Sequence, residues 1–234
     1  IVKSAVRIMF IYSGYYLRKN NILGEHDKTQ KYLKHLGTMA TVWVFFYFLR
    51  DVGYSEKTWN AVNEMIQSTM YDYIRFDSGH FWFVQNLFLA VAIMFVFQKK
   101  HFKVWEIIFL VVLQSCYYWN LLCALTGIGI GFVLAESKKT FDKEALFIWL
   151  ITAMISAGML CGFSYGWIHV PFVLENMLIE SMKYVLAVSV AVVALCMDAL
   201  VPIYFGSAGR YIRKLSTVAY LSHNIFVEFT FKVA

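Results

Sequence analysis

Several polar side chains of this sequence stand inside long apolar stretches, where they are candidates for catalysis or substrate binding. A polar group surrounded by apolar residues needs a partner or a water-filled cavity, and such groups mark substrate or proton pathways. No Ser/His/Asp order, zinc-ligand spacing or nucleotide-binding fingerprint accompanies them. The candidates are Ser13, Gly14, His80, Trp82, Tyr220 and His223.

Each candidate also has a structural interpretation. Ser13 and Gly14 are small residues that would let a second helix approach closely. His80 stands near Trp82, and this pairing is compatible with an aromatic anchor at a membrane surface. His223 lies well inside the last apolar stretch, and its imidazole either carries function or forms a hydrogen bond to a neighbouring helix.

A pair of lysines precedes the second apolar stretch. Lys31 and Lys34 are three residues apart, a spacing that puts both on one face of a helix. With Arg18 they would place cations where the phosphates of a cytoplasmic donor could bind. The alternative is that these residues bind anionic lipid and set the orientation of the chain.

The composition indicates a membrane protein. Apolar residues make up 60% of the sequence and charged residues only 15%, and the mean hydropathy is +0.59. A soluble domain has roughly a quarter of its residues charged. The apolar runs continue over roughly 15–20 residues without alternation, which predicts helices and not a barrel.

Eight such runs predict an all-α fold, a polytopic transmembrane helix bundle. About eight spans are present, out of a probable ten in the complete protein, and they form one membrane domain over residues 1–234. Every second gap between runs is basic, and these gaps hold 14 of the 21 Lys and Arg. Basic loops stay in the cytoplasm, so the alternation predicts the orientation of every span. The basic gaps are 18–34, 99–103, 138–143 and 210–214. The predicted spans are Ser4–Leu17, Leu36–Leu49, His80–Phe97, Val104–Tyr118, Leu121–Ala135, Ala145–Phe163, Leu178–Leu195 and Leu215–Phe231.

The net charge of +6 follows from these loops, and we attribute it to orientation and not to nucleic-acid binding. The four cysteines all lie in apolar segments without a CxxC pair, which predicts no disulfide framework and no metal site.

Three local patterns predict packing. Gly127, Gly129 and Gly131 would permit close helix contact. Glu180 and Lys183 are spaced to pair on one helix face. The gap 51–79 contains apolar residues at helical spacing, which predicts an amphipathic helix at the membrane surface.

Four motifs in order resemble those of the acyltransferase 3 family of integral membrane O-acyltransferases, and the resemblance spans nearly the whole chain. Residues 10–17 resemble the second-helix motif, and Lys31 and Lys34 stand where the family often has an Arg-x-x-Arg pair. Residues 80–83 resemble its "HLWFL" motif and residues 216–223 its late "SxxxYLxH" segment. The residues that carry the resemblance are Phe10, Ser13, Gly14, Leu17, Lys31, Lys34, His80, Trp82, Phe83, Ser216, Tyr220, Leu221 and His223.

The resemblance implies transfer of an acetyl or similar acyl group from cytoplasmic acyl-CoA, without a metal. The acceptor would be a hydroxyl of an extracytoplasmic glycan or other cell-envelope component, and the location a bacterial inner membrane. Lys31, Lys34 and Arg18 would hold the donor phosphates. Ser13, Gly14, Trp82 and Tyr220 would contact substrate, and His80 and His223 are the catalytic candidates.

The chain departs from the family in three respects. The family's proposed catalytic His lies in its first helix in an Arg/Lys-x10-His pattern, and this sequence has neither the spacing nor that helix. A final helix after the His223 segment is missing too. Asn224 replaces the family's Pro after the late His, and Lys stands at 31 and 34 where Arg is usual. We therefore expect a piece truncated at both ends and inactive alone. Two other functions stay open: a transporter or flippase for a lipid-linked glycan, and a non-catalytic assembly or sensor subunit of a membrane complex.

Overall fold

The computed structural model describes residues 2–54, 59–74, 82–99, 101–116, 120–137 and 143–200. Every regular element in these ranges is helical, which confirms the all-α prediction for this part of the chain. A short 3-10 turn occupies Ile22–Gly24. The α-helices are α1 (Val2–Lys19), α2 (His26–Tyr54), α3 (Trp59–Ile74), α4 (Trp82–Val96), α5 (Val104–Cys116), α6 (Asn120–Glu136), α7 (Lys143–Ser164) and α8 (Phe172–Leu200).

The helices differ in whether they are long and apolar enough to cross a membrane. Two segments of the described chain meet both criteria, Glu144–Ser164 in α7 and Leu174–Cys196 in α8. Helices α4, α5 and α6 are apolar but have only 15, 13 and 17 residues. In the described chain, two helices therefore have the length and apolar character of a span where eight spans were expected, and the eight-span bundle stays a prediction. The last one, Leu215–Phe231, lies outside the described residues.

The boundaries of several elements differ from those expected. Helix α2 begins at His26 and not near Leu36, so the predicted loop at 18–34 is partly wrong and contains helix. Thr29 ties the first turn of α2 to the preceding 3-10 turn, because its hydroxyl lies 2.7 Å from the Ile22 carbonyl oxygen and 3.0 Å from that of Glu25. The helix predicted within 51–79 is present as α3.

The described residues fall into two compact units. The first is built from 1–34 and 86–202 and contains α1, α5, α6, α7 and α8, with parts of α2 and α4. The second includes residues 35–85, which contribute the rest of α2, helix α3 and the first turn of α4. The site described below lies entirely in the first unit.

Glycines bring α1 and α6 into close contact. A Cβ atom at Gly131 would lie 2.1 Å from the Ile11 carbonyl oxygen, and one at Gly14 would lie 2.3 Å from that of Ile128. A Cβ at Gly127 would lie 2.5 Å from the Cβ of Phe10. Only glycine fits these positions, because any side chain would overlap the backbone or side chain of the facing helix. The predicted close packing is thus confirmed for Gly127 and Gly131.

The contacts also fix the relative direction of three helices. Phe10 and Ile11 of α1 meet Gly127 and Gly131 of α6 in ascending order, so the two helices run parallel. Arg7 and Tyr12 of α1 meet Glu180 and Ala191 of α8 in the same sense. These directions agree with the alternation expected for the first, fifth and seventh spans.

The turn after α7 reverses the chain toward α8. Gly166 has φ +69°, a left-handed conformation that suits glycine, and its N–H donates to the Phe163 carbonyl at 3.2 Å. The Trp167 N–H donates to the Gly162 carbonyl at 2.8 Å. This pair of bonds is a Schellman motif, which satisfies the last carbonyls of α7.

Candidate functional site

Three ionisable residues form a cluster between α1 and α8, in which Arg7 and Glu180 are buried and Lys183 is half-buried. The Arg7 guanidinium makes a short ion pair with the Glu180 carboxylate, and the Lys183 ammonium lies 2.6 Å from the other Glu180 oxygen. Arg7 is 2% exposed and Glu180 is 8% exposed. One carboxylate thus bridges two cations inside an apolar bundle. The pairing of Glu180 with Lys183 was predicted from their i, i+3 spacing and is confirmed.

Polar groups of α5, α6 and α8 surround this cluster. The Tyr184 hydroxyl donates to the side-chain oxygen of Gln114, and both residues are buried. The Arg7 guanidinium lies 5.0 Å from the centroid of the Tyr184 ring, a cation–π contact. The Cys123 thiol lies beside Tyr184 and Gln114, and the Thr126 hydroxyl, which donates to the Leu122 carbonyl at 2.7 Å, also neighbours Tyr184.

The cluster lies in one half of the first unit. Arg7 is five residues after the start of α1, and Glu180 is eight residues after the start of α8. At 1.5 Å per residue these positions are roughly 8 and 12 Å inside the helix ends. Because α1, α6 and α8 run parallel, their opposite ends lie together at the other end of the unit.

Burial of these charges is costly and needs a reason. The effective desolvation penalty is several kcal/mol per ion, and attraction within a pair repays it only with good geometry and further hydrogen bonds. Apolar residues at the same positions would pack at least as well. Ionisable residues kept in an apolar helix bundle are therefore functional candidates.

Five basic or acidic residues lie at the opposite end, where the basic gaps 18–34 and 99–103 converge. Arg18 Nε lies 2.8 Å from Glu136 Oε1, and His101 Nδ1 lies 2.8 Å from the same oxygen. Nearby, Lys99 Nζ lies 2.6 Å from Glu106 Oε1. Arg18 is therefore already bound by a carboxylate, and the cavity beside it encloses only about 10 Å³, room for no more than one water.

Lys31 and Lys34 are exposed on the first third of α2. Their shared helix face, expected from spacing, is confirmed by the helical backbone over these residues. Tyr32 stands between them, and burial raises its pKa to about 12, so its phenol stays neutral at physiological pH. The lysine pair is thus an accessible pair of positive charges on a rigid support.

The remaining predicted residues are placed as follows. Ser13 is half-buried and its hydroxyl donates to the Met9 carbonyl of its own helix at 2.9 Å. Gly14 is buried against Ile128, in agreement with the packing interpretation. Trp82 is half-buried and begins α4, in the second unit. The other three, His80, Tyr220 and His223, lie outside the described residues.

Sequence reasoning missed most of the buried cluster. Arg7 had a signal, since it is a strong base within the first apolar stretch, and intramembrane bases are functional candidates. Gln114 had the same kind of signal, because its amide stands within an apolar stretch. Cys123 and Tyr184 had none, because both occur often in apolar helices and their meeting depends on how α6 and α8 pack.

Comparison of the chain with models of protein families, with curated proteins and with solved structures found no match. The described residues also contain no group of three or more His, Cys, Asp and Glu that could hold a metal ion. The class of protein that fold and site define is accordingly a helical protein with two helices of membrane-spanning character and a buried ion cluster.

Proposed function

We propose that the chain belongs to a membrane-embedded acyltransferase that moves an acetyl or similar acyl group from cytoplasmic acyl-CoA to a hydroxyl of an extracytoplasmic glycan or cell-envelope component. The observation that carries the proposal is the Arg7–Glu180–Lys183 cluster inside apolar helices, far from the basic end. The ordered motifs that resemble acyltransferase 3 support it independently.

The two polar regions suit a reaction that draws its substrates from opposite sides of a membrane. The basic end would face the cytoplasm of a bacterium, as the distribution of Lys and Arg suggests, and would receive the donor. There Lys31 and Lys34 would hold the phosphates of acyl-CoA through charge-assisted hydrogen bonds. Arg18 could bind a donor phosphate together with these lysines only if it released the Glu136 carboxylate.

The buried cluster would act near the reacting groups. Acyl transfer develops negative charge on the carbonyl oxygen, and preorganised positive groups in a water-poor site stabilise it. Arg7 and Lys183 would supply the positive groups, and Glu180 would hold both in place. His80 or His223 would take the proton from the acceptor hydroxyl. Trp82, Tyr220 and Ser13 would contact the acceptor, and Gly14 would keep α1 and α6 together.

The test uses the full-length protein in proteoliposomes with labelled acetyl-CoA outside and measures release of CoA together with transfer of label to acceptor. In Lys31→Ala and Lys34→Ala variants the KM for acyl-CoA should rise about 10- to 150-fold each, since a hydrogen bond to a charged group contributes about 1.5–3 kcal/mol. The kcat should change little, because the phosphates are remote from the reacting carbonyl.

Lys28→Ala is the matched control, because Lys28 is exposed on the same helix and its ammonium is bound to Glu25 at 2.7 Å. An unchanged KM in both test variants would remove the donor role of the lysine pair. Absence of label transfer by the unmodified full-length protein would refute the acyltransferase proposal itself.

A carrier for a lipid-linked glycan is the second candidate, and the buried ion cluster also favours it. Intramembrane carboxylates paired with cations occur in proton-coupled transport pathways. Such a protein would move labelled lipid-linked glycan across a vesicle membrane without acyl-CoA, whereas the acyltransferase would not. A non-catalytic assembly or sensor subunit would do neither.

A further inference from the structure

An apolar groove of about 590 Å³ lies in the first unit, between α5, α7 and α8. Branched aliphatic side chains line most of it, including Ile107 and Val111 of α5 and Ile148 of α7. Tyr184 forms part of its floor, with the Arg7 guanidinium against the same ring. The groove is therefore a second feature, and Tyr184 belongs to both, since it lines the groove and contacts Arg7 of the ion cluster.

The groove continues onto an apolar exterior. Ile108 is 58% exposed and Ile148 is 60% exposed, and both line the groove while facing outward. Further along α7, Met154 and Ile155 are equally exposed. An occupant would enter sideways from an apolar medium, so an aliphatic chain fits this cavity and a water-soluble ligand does not.

One end of the groove lies close to a positive charge. Lys103 immediately precedes α5 and is exposed, and Ile107 follows it by four residues, or about 6 Å of helix. Glu106 stands at the same end, where Lys99 binds one of its carboxylate oxygens at 2.6 Å and the Lys103 backbone N–H donates to the other at 2.8 Å. Basic positions between membrane helices on the cytoplasmic side bind the head groups of anionic lipids.

We infer that this groove holds one acyl chain of an anionic phospholipid from the leaflet at the basic end, with the lipid phosphate at Lys103. The inference rests on the membrane location in the proposed function, and it does not require acyl transfer. The chain packs against α8 beneath Tyr184, so the lipid stabilises the wall that supports the buried ion cluster.

The test is photolabelling of the full-length protein in phosphatidylcholine vesicles. A trace phospholipid carries a carbene-generating diazirine in mid-chain, with either a phosphatidylglycerol or a phosphatidylcholine head group. Labelled residues are identified by peptide mass spectrometry at two places, the groove floor on α8 (Ser181 and Val185) and the exposed face of α7 (Ile155). Both probes should label the exposed face equally, and the phosphatidylglycerol probe should label the floor about fivefold more, the effect of one lysine near the surface.

Two pairs of variants separate the head-group contact from the chain contact. Lys103→Ala should remove the preference for phosphatidylglycerol, and Lys28→Ala should retain it. Ile148→Trp narrows the groove and should lower floor labelling by either probe severalfold. Ile155→Trp is its matched control, since both isoleucines are exposed to the same extent on α7 and Ile155 does not line the groove.

Each contrary outcome overturns a stated part of the inference. Equal floor labelling by the two probes refutes the anionic head group, and a labelled exterior with an unlabelled floor refutes the bound chain. Displacement of the phosphatidylglycerol label by long-chain acyl-CoA would show that the groove is a donor site. Failure of both probes to label Ile155 would refute the membrane location, and the lipid inference with it. Floor labelling without any acyl transfer would overturn only the acyltransferase proposal.

Discussion

Removal of the Glu180 carboxylate gives the sharpest test of the buried cluster. In Glu180→Leu the Arg7 guanidinium, 2% exposed, keeps its charge but loses the carboxylate that binds it. Breaking a buried pair by deleting one partner costs about 3–5 kcal/mol, because an uncompensated charge stays in a poorly solvated place. For a chain of this length each kcal/mol corresponds to roughly 2–4 °C, so the midpoint of thermal unfolding should fall by roughly 6–20 °C.

The double variant Arg7→Met/Glu180→Leu provides the decisive comparison. Replacing both ions with apolar residues of similar volume removes their desolvation penalty, and such replacements are often neutral or stabilising. We therefore expect the double variant to recover most of the lost stability. Lys183 does not prevent this recovery, because its side chain is 21% exposed and can extend its ammonium toward solvent.

The assay is thermal unfolding of purified protein in detergent, followed by tryptophan fluorescence and by retention of the monodisperse peak in size-exclusion chromatography. Glu25→Gln is the control, because the Glu25–Lys28 pair is half exposed on both sides and such surface pairs contribute at most about 1 kcal/mol. A Glu180→Leu variant as stable as Glu25→Gln would refute the buried-pair argument. A double variant that loses the sum of the single losses would refute the claim that the two ions are coupled.

Two further predictions concern packing and topology. Gly131→Ala should destabilise the protein by about 1–3 kcal/mol, because its Cβ would lie 2.1 Å from the Ile11 carbonyl oxygen. Gly158→Ala is the control: its Cβ would have no atom within 4 Å, and it should stabilise the protein by about 0.5–1 kcal/mol. Equal thermal midpoints for the two variants would contradict the α1–α6 contact. In a cysteine-free background, an impermeant thiol reagent applied to sealed inside-out vesicles should modify Lys28→Cys and leave Trp167→Cys unmodified, and modification of both from one side would disprove the alternating topology.

Only part of the candidate site could be predicted from the sequence pattern and the family resemblance. The Glu180–Lys183 pair was predictable, since residues three apart on a helix are neighbours on one face. The glycines of α6 likewise predicted a close contact with another helix. Arg7 was visible as a base in an apolar stretch, but nothing in the sequence paired it with a residue 173 positions away. The contact between the first turn of α2 and the preceding turn was also hidden, because the Thr29 hydroxyl meets a carbonyl oxygen seven residues earlier, at Ile22.

What the sequence by itself determined is the helical fold and the segregation of positive charge into alternate gaps. Both follow from local properties: apolar runs must satisfy their backbone hydrogen bonds internally, and charge alternates along the chain whatever the helices contact. Only the tertiary structure decided that α1, α6 and α8 run side by side and that Glu180 bridges Arg7 and Lys183. It also decided that Tyr184 both contacts this cluster and lines an apolar groove. These facts depend on which faces of distant helices pack together, and packing between distant segments is set by the shape of whole helix surfaces.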